Sequence, residues 1–177
     1  HACFALRQLT KIHDVIEVYR ENARTYTSEL NVASLQGLRN WNETFLEHEG
    51  CTHSYICLEV TQEFPVQRDV IMKFLRDHNI YSKRYFYPGL HHCQPYASDF
   101  QPDLPVTEKL CQEVLILPTG TQVTKLDIKR TVDLLRSLAL QYVDHVGRVQ
   151  VPTISIDRSF LNERIAYMKT KKRESDE

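Results

Sequence analysis

The 177-residue sequence has no excess of either charge: 22 Lys and Arg stand against 23 Asp and Glu. That balance excludes the broad cationic surface that drives non-specific nucleic-acid binding. No apolar run approaches the roughly 18–20 residues needed to span a bilayer, so no membrane partner is expected. The opening residues lack a signal-peptide layout, and the chain holds no internal repeat or low-complexity segment. It has no Cys-x-x-Cys pair either. Its five cysteines (Cys3, Cys51, Cys57, Cys93 and Cys111) are odd in number and scattered. They read as reduced, mostly buried thiols of a cytoplasmic protein. What is present is ordinary for a globular chain: 42% hydrophobic and 25% charged residues, enough for one domain with a core and a tail.

The chain begins in helical stride. Ala2, Leu9, Ile16 and Ala23 recur every seven residues, as do Ala5, Ile12, Tyr19 and Tyr26. This stripe predicts one long helix from Ala2 to about Ser28. The absence of a cap before it suggests that the helix starts upstream of His1 and that the chain is a fragment. A polar stretch from Asn31 to Thr52 carries the only tryptophan, Trp41, and reads as irregular. Ser54 to Thr61 alternates Ile56, Leu58 and Val60 on one face and predicts a strand. Val66, Val70, Phe74 and Leu75 have helical spacing, ending near His78 and Asn79. A second strand is expected from Ile80 to Phe86, followed by a loop that Pro88, Gly89, Pro95 and Pro102 hold irregular.

Pro105 suits the first position of a helix that carries Val106, Leu110 and Val114 inward. Leu115 to Pro118 reads as a short buried strand. Thr124 and Asp127 have capping-box spacing, with Asp in place of Glu or Gln, ahead of a helix using Ile128, Val132, Leu135 and Ala139. Helices and strands in this order predict an α+β layer, helices on a small sheet. Residues 1–140 form that unit. Residues 141–177 read as an extension, with a strand over Val149 to Ile156, a short helix around Phe160 to Met168, and a basic run, Lys169 to Arg173, that reads as a solvated terminus.

Lys83 to Tyr96 is the segment richest in chemistry: two cations, four aromatics, two imidazoles and a thiol in a loop after a strand. Four readings stand open. His91, His92 and Cys93 are metal-ligand types, although adjacent residues do not readily aim at one ion and no second cluster has ligand spacing. Cys93 and a histidine could form a nucleophile pair. Tyr and His side chains could line a site for a polyol or phosphate. The loop could also be plain aromatic packing at the surface.

The segments Arg84-Tyr-Phe-Tyr-Pro-x-Leu-His91, Gln94-Pro-x-Tyr96, Leu104-Pro-Val-Thr-Glu-Lys-Leu110 and Val114-Leu-Ile-Leu-Pro-Thr119 together resemble the C-terminal part of the DegT/DnrJ/EryC1/StrS sugar aminotransferases. The opening His1-Ala-Cys-Phe-Ala-Leu-Arg-Gln-Leu9 and Arg20-Glu-Asn-Ala-Arg-x-Tyr26 are similar to that family's connecting helix. The resemblance covers residues 1 to about 140 in order. It implies the small C-terminal domain of the aspartate-aminotransferase-like type I fold, and amino transfer from glutamate to a nucleoside-diphosphate-linked keto sugar.

The resemblance further implies pyridoxal 5'-phosphate as cofactor, held mainly by an N-terminal part outside this sequence, and a homodimer. Tyr87 and His91 match positions facing the sugar. Arg84 and Tyr85 belong to the same segment and are carried as substrate-binding candidates. The family's Schiff-base lysine, its pyridinium-binding aspartate and its phosphate motif all align upstream of His1. Lys11, Lys73, Lys83 and Lys125 lie in other contexts, so the chain alone is expected to lack transaminase competence. The alternative is a non-catalytic module that binds a nucleotide sugar or a protein. A thiol enzyme using Cys93 is a further rival. No resident metal is expected.

Overall fold

The computed structural model describes residues 2–98 and 103–145. The strand and helix expected between Val149 and Met168 lie outside them. The chain runs α1 (Ala2–Leu9), α2 (Ile12–Ala33), β1 (Leu38–Asn40), β2 (Ile56–Val60), α3 (Arg68–Asp77), β3 (Lys83–Arg84), α4 (Pro105–Glu113), β4 (Val114–Leu117) and α5 (Lys125–His145). The four strands form one antiparallel sheet in the order β1-β2-β4-β3. This is the α+β arrangement the sequence predicts. A boundary at residue 140 falls inside α5.

Register follows the apolar alternation. Ile56 pairs with Leu117 and Leu58 with Leu115, and all four side chains are buried together with α2, α3 and α5 residues. Tyr26 of α2 is fully buried, and so are Ile71 and Leu75 of α3 and Ile128 and Leu135 of α5. The opposite sheet face carries Cys57 opposite Ile116 and Glu59 opposite Val114. At the start of α5 the backbone N–H of Thr124 donates to Asp127 Oδ2 (2.9 Å), and Asp127 N–H donates to Thr124 Oγ1 (3.2 Å). The box closes with the shorter acid; the Thr124 hydroxyl also donates to Asp127 Oδ2 (2.6 Å), and the Thr124 hydroxyl and N–H together hold the Asp127 carboxyl below its usual pKa.

Four expectations need correction. The first helix is two: the Thr10 hydroxyl donates to the Arg7 carbonyl (2.8 Å), and Lys11 N–H donates to Gln8 O, three residues back, before the ladder restarts at Val15. The switch from four-residue to three-residue backbone bonding at Lys11 ends the first run, and α2 then continues past Ser28 to Ala33. The polar stretch after it holds a strand, β1, and a 3-10 turn over Trp41–Phe45. Three residues carry no readable alternation. β1 exists because β2 supplies its partners and because Gly37 (φ +86°) lets its backbone approach Phe64, where a Cβ would stand 2.1 Å from the Phe64 nitrogen.

The strand expected over Ile80–Phe86 keeps only Lys83 and Arg84 on the ladder, since Phe86 turns to φ +52°, a conformation no strand accommodates. Val106 is 70% exposed, and Cys111 is the buried residue of α4 in its place.

Candidate functional site

The segment after β3 is held from beneath by Arg68, the first residue of α3. Its side chain is 3% exposed. It donates to the Cys111 carbonyl (2.7 Å) and the Val114 carbonyl (3.1 Å), and its Nε meets Asp69 Oδ1 at 2.6 Å. Burial pulls the guanidinium pKa down, while Asp69 opposes that shift. Asp69 also faces Arg84, with Nη1 to Oδ2 at 3.5 Å. The Tyr87 ring lies beside both cations, with its centroid 5.2 Å from Arg68 Cζ and 4.6 Å from Arg84 Cζ. Two guanidinium groups bridged by one carboxylate therefore fix this ring by cation–π attraction.

Tyr85 lies in a separate aromatic row, with ring centroids 4.1 Å from Phe86 and 5.7 Å from Tyr55. The three are 40%, 73% and 50% exposed, so the row is open to a ligand face.

Gly89 (φ +99°) introduces a 3-10 turn over Leu90–His92. A Cβ on it would stand 2.7 Å from His91 Cε1, so the missing side chain is what lets the imidazole fold in. The His91 side chain is 8% exposed, with Nε2 3.6 Å from Glu108 Oε1 of α4. His92 Nε2 reaches the same oxygen at 3.8 Å. Of the three adjacent ligand types the turn brings two together: it lays the imidazoles side by side, centroids 4.1 Å apart, and both face Glu108. Cys93 does not join them. Its thiol donates to the Gly89 carbonyl (3.4 Å), which serves the turn and not a nucleophile pair. Cys111 donates to Phe86 O, and burial pushes its thiol pKa up, away from thiolate chemistry.

The four residues expected at a site therefore divide. Arg84 and Tyr87 form one cluster and Tyr85 another, while His91 joins His92 and Glu108. Arg68, Asp69, Tyr55 and Glu108 went unnamed as candidates. Only Glu108 carried a signal, because it lies inside the Leu104–Leu110 segment. Every lysine among the described residues is exposed. The open groove on α5 lined by Leu126, Lys129, Arg130 and Asp133 takes nothing from the 83–96 loop. A buried lysine in an enclosed cavity, which an internal imine with pyridoxal phosphate requires, is not found among the described residues. They do not fit the cofactor by themselves.

The family model for the DegT/DnrJ/EryC1/StrS aminotransferases matches residues 1–136. GDP-perosamine synthase of Vibrio cholerae is 35% identical over 90 residues, covering 50% of this chain and 23% of that protein. The crystal structure of DesI in the presence of its TDP-sugar product superposes with a TM-score of 0.71 at 32% identity, over 81% of this chain and 36% of that one. The Helicobacter pylori aminotransferase PseC, at 17% identity and TM-score 0.65 over 79% of this chain and 36% of its own, shares the fold. The chain thus spans about a quarter of the curated relative and about a third of the solved structures.

Proposed function

Because this chain belongs to the DegT/DnrJ/EryC1/StrS aminotransferase family, we propose that it forms the sugar-side wall of a nucleotide-sugar transaminase that takes its amino group from glutamate. Pyridoxal 5'-phosphate would be held mainly by residues other than those described. The observation that carries the reading is the built support of the loop: Tyr87 fixed between Arg68 and Arg84, beside an open aromatic row. Arg84, 32% exposed, offers charge to a diphosphate, and the Tyr85 row offers ring faces to a base or sugar. Tyr87 and His91 orient the ligand. The exposed apolar side chains of α1 and early α2, Phe4 (69%), Leu6 (63%), Leu9 (59%) and Ile12 (40%), support a homodimer in which a second copy covers them. The free thiols support a reducing, cytoplasmic setting.

One second reading is a family-derived module that binds a nucleotide sugar without turnover. Two measurements separate the readings. Coding sequence upstream of the His1 codon that runs in frame into a lysine-bearing cofactor domain supports the transaminase, and a stop codon there supports the module. Titration of the chain with a GDP- or dTDP-linked sugar, followed by NMR, is expected to shift Tyr85, Tyr87 and Arg84. Saturable binding that leaves all three unmoved would refute the wall under either reading.

A further inference from the structure

We infer that His91, His92 and Glu108 form a binding site for a divalent transition-metal cation of the Zn2+ type. One ligand atom from each residue lies within 4.8 Å of the other two. The two imidazole–carboxylate separations, 3.6 and 3.8 Å, are too long for hydrogen bonds. They approach the separation set by a shared ion: ligands about 2.0–2.1 Å from tetrahedral zinc stand roughly 3.3–3.4 Å apart. Closing the cluster on an ion takes movements of a few tenths of an ångström to about one ångström, from two exposed side chains and one fixed ring.

The fixed ring is the second, independent observation. The His91 side chain is more than nine-tenths buried, and its Nε2 has no hydrogen-bond partner among the described residues. A buried imidazole nitrogen left unpaired costs free energy, and a cation bound there recovers it. The supports are built in as well. Gly89, at φ +99°, admits the His91 ring where a Cβ would collide with it. The 3-10 turn sets the His92 ring alongside, tilted 45° to it. Glu108, one turn into α4, brings a carboxylate from a different element. Two imidazoles and a carboxylate are a borderline donor set that suits zinc over calcium or magnesium.

Three protein ligands leave a tetrahedral ion one open position. Resting on the transaminase-wall reading, that position would let His91 meet a phosphate or sugar oxygen through the ion. The cation site itself does not depend on that reading. The test is isothermal titration of the full chain with Zn2+ alone, without nucleotide sugar or pyridoxal phosphate, alongside Glu108→Gln and His92→Gln. Both substitutions are at partly open side chains, and circular dichroism checks that each variant keeps the fold. One ion per chain is expected, with affinity falling at least tenfold in each variant. Long-range 1H–15N spectra should show Zn2+ moving the Nε2 signals of His91 and His92. Absence of saturable Zn2+ binding overturns the inference. So does binding that both variants retain at full strength, which would put the ion elsewhere on the chain. Nucleotide-sugar binding that survives in a chain that takes up no Zn2+ would leave the sugar wall standing and the metal site refuted.

Discussion

The two sides of this domain are finished differently. Where α2, the sheet and α5 meet, buried polar groups are paired. Asn22 donates to the Thr119 carbonyl, Tyr26 to the Pro118 carbonyl, and Thr27 accepts from Asn40. Thr119 and Thr131 donate to the carbonyls of Ser54 and Asp127. Around β3, the following loop and α4, buried atoms of Ser82 and His91 have no hydrogen-bond partner among the described residues, and Glu113 Oε2 has only a long ion pair to Lys109 (3.7 Å). The remaining such atom, His53 Nε2, lies in the segment leading into β2. Each unpaired group costs about 1–3 kcal/mol. Their concentration on one side marks that side as shaped for something other than stability, and the paired side as the scaffold that carries it.

The sharpest contrast comes from truncation. Leu135→Ala removes a fully buried side chain of α5 and should lower the unfolding free energy by about 2–5 kcal/mol in a denaturant titration. Tyr85→Ala in the open aromatic row should change it by less than about 0.5 kcal/mol while weakening nucleotide-sugar binding. Equal losses at both positions would erase the distinction. Arg68→Met comes next, because Arg68 ties the two sides together. It deprives the Cys111 and Val114 carbonyls of their donor and removes one of the two cations beside Tyr87. A loss of about 2–3 kcal/mol is expected, with the Tyr87 ring signals broadening in NMR spectra. Unchanged Tyr87 signals would show that Arg84 alone holds the ring.

On the scaffold side, Tyr26→Phe isolates one hydrogen bond. The Tyr26 hydroxyl lies 3.1 Å from Pro118 O, and burial pushes its pKa up to about 12. Losing it should cost about 1 kcal/mol. A neutral result in thermal melts would mean that the ring alone ties α2 to the β4 turn.

The scaffold was legible because its physics is periodic. Ile56, Leu58 and Val60 announce β2 by alternation, Thr124 and Asp127 announce the start of α5, and Ile128, Val132 and Leu135 announce its buried face. The family-like segment Arg20 to Tyr26 proves to be scaffold too: Asn22, Ala23 and Tyr26 are buried, and Arg20 donates to the carbonyls of Cys51 and Glu49. The site was legible only as a composition. Lys83 to Tyr96 stood out by its residue types, but which of them meet depends on partners distant in sequence. Arg68 and Asp69 come from the far end of α3 and Glu108 from α4, and no local pattern foretells a contact across 20 or so residues. β1 escaped for a related reason, since its three residues become a strand only against β2. The break after Leu9 is a local switch of backbone hydrogen bonding at Lys11, which a heptad count does not register.

The smallest expected effect tests the unpaired side through pH. Glu113 closes α4 with its side chain 14% exposed, and burial raises its carboxyl pKa. Nearby Glu59 raises it further, and Lys109, 3.7 Å away, pulls it down without prevailing. A carboxyl whose native pKa lies above its unfolded value binds more protons folded than unfolded in the interval between the two. Its contribution is therefore greatest below the ordinary glutamate range and is lost as pH rises through the raised native value. Glu113→Gln keeps a neutral, hydrogen-bonding side chain at every pH. The variant should match the parent in acid, where Glu113 is already neutral, and unfold at a modestly higher denaturant midpoint near neutral pH, where the parent carries a charge beside Glu59. On the scaffold side the sign is opposite. Asp127, its pKa lowered by Thr124, gives stability that is lost as pH falls, so Asp127→Asn should flatten the acid limb. Midpoint-against-pH curves that run parallel for all three proteins would show that the buried Glu113 carboxyl is not a titrating liability, and the contrast between the two sides would then rest on His91 and Ser82.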